Sequence, residues 1–257
     1  MLSTLNRVAL LTITKREVNR ILRIWTQTLL PPIITQSLYF VIFGSFVGSQ
    51  VADINGVSYM QFIIPGLVMM AVINASFMNV VSSFFGTKFQ KNLEEMLVSP
   101  TPNWVIITGY TAGGMFRGLL VGTIVYAVSF LFERPVIQNP LLVVLFALLT
   151  SAVFSLMGLT VGIFAKKFDH VSIIPTFVLT PLTYLGGVFY AISRLPEPWQ
   201  TISKFNPILY MVNGFRYGFY SFADVSITTA VGMLLLFFGL VGALNLYLMN
   251  KGVGLRT

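Results

Sequence analysis

The chain has 257 residues, of which 56% are hydrophobic and only 9% charged, with a net charge of +8 and no cysteine. Soluble domains carry roughly 45–50% apolar and about 25% charged residues, so one water-facing core could not hide this much apolar side chain. The composition excludes a soluble globular protein, disulfides and any thiolate site.

The first 25 residues do not form a span. From Leu11 onward, Leu11, Val18, Ile21, Leu22 and Trp25 fall on one side of a 3.6-residue helix, and Arg16, Asn19, Arg20 and Arg23 on the other. That pattern predicts an amphipathic helix in the membrane interface, its cations near anionic headgroups, used for anchoring or for docking a partner protein. No signal peptide is expected, because charge runs through this segment and no small-residue cleavage pattern follows it.

Six later stretches are each long enough for a bilayer core about 30 Å thick, which takes roughly 20 apolar residues. They are Thr26–Val47, Met60–Phe85, Val105–Phe132, Leu141–Ala165, Val171–Ile192 and Ile227–Met249. Pro31-Pro32 predicts an irregular start to the first span. The second carries Asn74, Ser76, Asn79, Ser82 and Ser83, uncharged polar groups of the kind that satisfy one another between helices.

After the second span, residues 86–102 contain FQKNLEEMLVSP, with Lys88, Lys91, Glu94 and Glu95 close together in a chain nearly devoid of charge. On a helix Phe89, Leu93, Met96 and Leu97 share one apolar face, and Lys91 and Glu95 stand four apart. An apolar knob framed by both signs of charge suits a protein groove. A helix resting on lipid favours an all-basic polar face.

In the third span Gly114, Gly118 and Gly122 recur every four residues, and the fourth repeats the device with Gly158 and Gly162. Small residues at that spacing let helices approach, either within one subunit or along a dimer seam. Arg117 is the one charge in the spans; it either holds helices together or meets an anionic substrate. The fifth stretch, broken by Pro175, Pro181 and Gly186-Gly187, frees backbone groups that protein or water must cover. Residues 193–226 then stay too aromatic for a solvated loop, which predicts short external helices re-entering the outer leaflet, or an aromatic interfacial belt.

Arg7, Lys15, Arg16, Arg20, Arg23, Lys88, Lys91, Lys166, Lys167, Lys251 and Arg256 fall on one side of this topology. Only Arg134, Arg194, Lys204 and Arg216 fall on the other, so both termini are expected in the cytoplasm. The spans hold no Asp, Glu or His, which argues against a proton relay, and the lone His170 is expected to be solvated. No phosphate-cradling G-x-x-x-x-G-K-[ST] sequence occurs, so any work on ATP needs another chain, and nothing points to nucleic acid. An ion-gradient-driven secondary transporter is the alternative, but no repeat relates residues 1–130 to 131–257. A membrane-embedded lipid-modifying enzyme would need acid–base residues that are missing.

The expected architecture is therefore an all-α integral membrane protein: an N-terminal interfacial helix, six transmembrane helices, a charged helix after the second and external re-entrant helices before the last. Three stretches, IPGLVMM (Ile64–Met70), FQKNLEEMLVSP and FNPILYMVNGFRYGF (Phe205–Phe219), together with that order of elements, resemble the permeases of the type-2 ABC exporter family. The likeness runs over essentially the whole chain and is nearest the small bacterial permeases. It implies a homodimer in the bacterial inner membrane driven by two separate ATPase subunits, which use ATP and Mg, with no cofactor in this chain. The helix after the second span would be the coupling helix, with Phe89, Lys91, Leu93, Glu94, Glu95 and Met96 on the ATPase. Lys166, Lys167, Asp169, Arg16, Arg20 and Arg23 would flank it. Tyr39, Phe43, Phe177 and Tyr184 are candidate path residues, and amphipathic cargo (lipid, lipid-linked glycan or drug) is compatible with the aromatic external segment.

Overall fold

The computed structural model describes residues 4–54 and 56–255; Arg256, counted above among the cytoplasmic cations, lies outside them. Among the described residues the chain is helical throughout, with one isolated bridge between Ile54 and Val57. Helix α1 (Thr4–Arg23) leads into α2 (Trp25–Tyr39), which continues as a π-helical stretch over Phe40–Val47 and a short 3-10 turn to Gln50. The helix runs through Pro31 and Pro32, and the irregularity comes later, in the π-helical part that begins at Phe40.

Helix α3 (Tyr59–Phe89) is the axis of the fold. It is apolar nearly all round, interrupted in its second half by small uncharged polar residues, and a helix so patterned is enclosed by others. Accordingly 89% of its most apolar window is buried, against 17% for Trp25–Gln50 and 11% for Ile227–Lys251. Its length, 31 residues at 1.5 Å each, is about 46 Å, longer than a hydrocarbon core. Short α4 (Asn92–Val98) follows it, then α5 (Asn103–Ser129) and α6 (Pro140–Phe164), both packed on α3.

The glycine stripe is spent inside this chain. Gly114 faces Val80 and Ser155, Gly118 faces Ser76, and Gly122 faces Val72. At Gly158 a Cβ would stand 2.5 Å from the Phe77 carbonyl oxygen, so only glycine lets α6 sit this close to α3.

Among the described residues, five helical stretches are long and apolar enough to cross a membrane: Trp25–Gln50, α3, α5, α6 and α11 (Ile227–Lys251). The fifth sequence stretch is built differently. It is α7 (Phe168–Ile174), a π-helical turn over Pro175–Leu179 and α8 (Thr180–Leu185), after which Gly187 turns the chain at φ 76°. Pro175 begins the π-helical turn and Pro181 is the second residue of α8; the backbone stays helical through both junctions, so each proline removes a helical donor there.

The segment before α11 divides in two. On α9 (Glu197–Lys204) and just beyond it, Trp199, Ile202 and Phe205 are exposed. On α10 (Pro207–Tyr220), Leu209, Met211, Val212, Phe215 and Phe219 are buried against α3 and α6. Arg216, assigned by sequence to the outer charges, is only 1% exposed. It lies 3.9 Å from the Phe62 ring centroid and donates to the carbonyl oxygens of Gly187 at 2.6 Å and Phe62 at 3.4 Å. Tyr220 reaches the Gln61 carbonyl at 3.0 Å, and Tyr59 reaches that of Phe189 at 2.9 Å, closing this end of α3.

Candidate functional site

The other end of α3 carries the candidate site. Two residues separate α3 from α4, and Lys91 takes a left-handed conformation (φ 63°) that a non-glycine residue adopts at some cost. The chain therefore breaks sharply between α3 and α4. This overturns the expected Lys91–Glu95 pairing on one helix face: Lys91 precedes the helix, and among the described residues the only ion pairs involve Glu17.

The apolar face of α4 points home. Leu93 is 1% exposed and packs with Ile13, Val80, Phe84 and Ile106, with Met96 and Leu97 beside it. Its expected place on a docking surface is thus corrected: in lipid-facing proteins as elsewhere, a short helix cannot stand without an apolar footing. What α4 presents outward is Lys91, Glu94, Glu95 and Val98, the last 87% exposed.

Beside it lies the start of α7. Phe168 packs edge-on against Phe85 at 5.0 Å and Phe89 at 4.9 Å between ring centroids. Phe89 and Phe168 nevertheless remain more than half exposed, and Lys166, Lys167, Asp169 and His170 surround them in the open. The structure thus brings Phe89, Lys91, Glu94, Glu95, Lys166, Lys167 and Asp169 to one end of the bundle, around an aromatic ridge. Asp169 stands in the first turn of α7, where the helix dipole favours an acid.

Lys88 leaves this charged group. Its ammonium is buried and donates to the carbonyl oxygens of Ile163 (2.7 Å), Ala165 (3.0 Å) and Gly254 (2.6 Å). It ties the foot of α3 to the end of α6 and the C-terminal residues, filling all three donor positions of a lysine.

Helix α1 divides its predicted apolar side between the protein and the outer surface. Ile13, Glu17 and Ile21 are buried, with Ile13 over Gly109 and Glu17 over Gly113 of α5, whereas Leu11, Leu22 and Trp25 are exposed. Glu17 accepts from Ser83 at 2.7 Å and pairs with Arg20 at 3.0 Å, with Arg16 at 3.6 Å. Arg20 also donates to the side chain and carbonyl of Asn79, and Arg16 to the Tyr110 hydroxyl at 2.7 Å. Asn79 and Ser83 are therefore the span-two polar residues that engage another helix, while Asn74 and Ser82 bond back to their own. Arg20 is committed to this internal network, Arg16 joins it with its side chain still 46% exposed, and Arg23 is exposed.

Sequence reading missed Glu17; it named Asn79 among the polar groups that bridge helices, as observed, and counted Lys88 in the charge cluster without its buried role. An acid inside a basic segment is a visible signal. The partners of Lys88, in contrast, are backbone oxygens 75 to 166 positions away, which no spacing reveals.

Of the candidate path residues, three meet. The Tyr39 and Tyr184 hydroxyls are 3.0 Å apart, and Tyr39, Phe43 and Tyr184 all pack on Phe189, at 5.7, 4.6 and 5.5 Å. Phe177 stands apart, 73% exposed. The outer faces of α2 and α8 beside this cluster are apolar and open, with Ile34, Leu38, Val41, Ile42, Phe46 and Val178 exposed.

The model of one protein family, the ABC-2 type transporter, matches residues 8–220. The inner membrane transport permease YadH of Escherichia coli strain K12 is 52% identical over 250 residues, 97% of this chain and 98% of that protein. Nodulation protein J of Rhizobium leguminosarum bv. viciae is 26% identical over 184 residues, 70% of each chain. Nodulation protein J of Sinorhizobium fredii is 27% identical over 191 residues, covering 70% and 68%.

Proposed function

Because the chain belongs to the ABC-2 type transporter family, we propose that it is the membrane-spanning permease of an ATP-driven exporter, working as a homodimer with two copies of a separate ATPase. The observation that carries this reading is the ridge at the foot of α3. Aromatic rings and charges of both signs stand exposed there on two elements, α4 and the start of α7, braced from behind by the buried Leu93 and Lys88. An exposed ridge so mixed in character is a foothold for a protein cleft.

In this reading α4 is the coupling helix. Phe89, Lys91, Glu94 and Glu95 meet the ATPase directly, Lys166, Lys167, Asp169 and Arg23 flank them, and Met96 supports the contact from its half-buried position. Closure of the ATPases around ATP and Mg would move α4, and through the break at Lys91 reorient α3 and α5, a switch of the domain-closure type. The protein would sit in the bacterial inner membrane with this end and both termini in the cytoplasm, as the basic residues favour. The broken helix Phe168–Leu185 then makes a sixth crossing, roughly 27 Å if every residue rises as in an α-helix. The open apolar faces of α2 and α8 would meet their counterparts across the dimer, enclosing a path near Tyr39, Phe43, Tyr184 and Phe177 for amphipathic cargo. The chain itself hydrolyses nothing.

The test is reconstitution with the ATPase that co-purifies with the tagged chain. Reversing Glu94 and Glu95 together to Lys should abolish transport and cargo-stimulated ATP hydrolysis while the protein still inserts. Transport in vesicles without any ATPase, or full coupling in the double reversal, would overturn the proposal.

A further inference from the structure

Between α2, α3 and α5 lies a cavity of about 340 Å³ whose walls include Gln27, Thr35 and Gln36 of α2, Asn74 of α3 and Arg117 of α5. All of them sit in helices long enough to cross a membrane. Arg117 has a single weak partner there: one terminal nitrogen lies 3.5 Å from the Thr28 carbonyl, at the outer limit of a hydrogen bond, and its Nε has none. Arg20, a charge of the same sign, bears on it, and no carboxylate pairs with it among the described residues. Glu17 is already taken by Arg20, Arg16 and Ser83. Across the cavity Gln36 is 4% exposed, and its amide oxygen has no partner.

A guanidinium held at this depth without a counter-ion is costly, and the cost falls when an anion enters. From this we infer that the cavity is a binding site for the phosphate-bearing head of an amphiphile. Arg117 takes the phosphate, and Gln36 takes a hydroxyl of the head. Pro31, Met70, Ala71 and Met78 line the same cavity and suit the first carbons of an apolar tail. Lys15, Arg16, Arg20 and Arg23 line a separate basic groove on α1, of which Arg20 is near enough to act on Arg117. A soluble anion would gain nothing from the apolar part of this wall, whereas a lipid-like molecule uses both. The inference rests on the reading that these helices cross a bilayer, and it narrows the proposed cargo class to anionic amphiphiles.

The experiment needs no ATPase, so it is independent of whether the chain exports anything. The purified full-length chain in neutral detergent is melted during titration with dioleoylphosphatidylglycerol, with dioleoylglycerol, which has the same tails and no phosphate, or with inorganic phosphate. Phosphatidylglycerol should stabilise at concentrations about tenfold lower than dioleoylglycerol, on the order of one lost charge-assisted hydrogen bond. Arg117→Gln should erase that preference, and Arg117→Lys should keep part of it. If Arg117→Gln fails to fold, Gln27→Glu decides, because a carboxylate built into the wall should compensate Arg117 and exclude the lipid head. Equal response to the two lipids, an unchanged preference in both Arg117→Gln and Gln27→Glu, or full stabilisation by inorganic phosphate alone would overturn the inference.

Discussion

The two ends of α3 use the same residue types to opposite effect. At the α10 end a cation, Arg216, is wholly enclosed, stacked on Phe62 and bonded to two carbonyl oxygens, and the tyrosines nearby find backbone acceptors. At the α4 end the charges of Lys91, Glu94, Glu95, Lys166, Lys167 and Asp169 are held in the open around half-exposed phenylalanines. One end is finished within the chain, and the other is left for something else to complete. Lys88 marks the boundary: it immediately precedes Phe89 of the exposed ridge, yet its buried ammonium is held by three carbonyl oxygens.

Substitutions should separate the two ends by size of effect. Arg216→Met removes both hydrogen bonds and the ring contact and takes from the buried Gly187 carbonyl its 2.6 Å donor, a loss of about 3 kcal/mol. Thermal unfolding of the detergent-purified protein should show the lowest melting temperature of this set. Lys88→Met should cost about 2 kcal/mol by the same reasoning. Hydrogen exchange should rise at the end of α6 and around Gly254 and leave α10 unaffected. Phe168→Ala forfeits two edge-on ring contacts, on the order of 1 kcal/mol in stability, and should weaken capture of the ATPase by more than it lowers the melting temperature. Smallest on stability is the Glu94→Lys, Glu95→Lys pair, expected to stay within about 0.5 kcal/mol because both side chains are exposed. If that pair unfolds the protein, the ridge is part of the core and the contrast between the two ends is lost.

Much of this could be read from composition alone. The stretches around α3, α5, α6 and α11 are unbroken apolar runs, and their helices fall within a few residues of the expected limits. The fifth stretch has the apolar content but is divided by Pro175, Pro181 and the glycine pair, so its path is set by tertiary packing. For α1 the amphipathic pattern was visible, but not how its apolar side divides between the surface and the protein or which of its charges bond inward. Beside a membrane, Leu11, Leu22 and Trp25 are the residues that can be left outside, and Arg16, Glu17 and Arg20 are the ones that need protein partners. The likeness to exporter permeases pointed to α4, but which of its faces was free depended on where Leu93 packs, and only the fold decides that.

Helix α3 runs without interruption through Pro65, and both differently built ends are bolted to it. A rod of that kind transmits displacement rather than absorbing it. A tilt imposed at Phe89 must reappear near Tyr59 and sweep the inner wall of the polar chamber at Asn74 on the way. Spin labels at the two extremities should therefore move in concert, with a lag no longer than the stiffness of one helix permits.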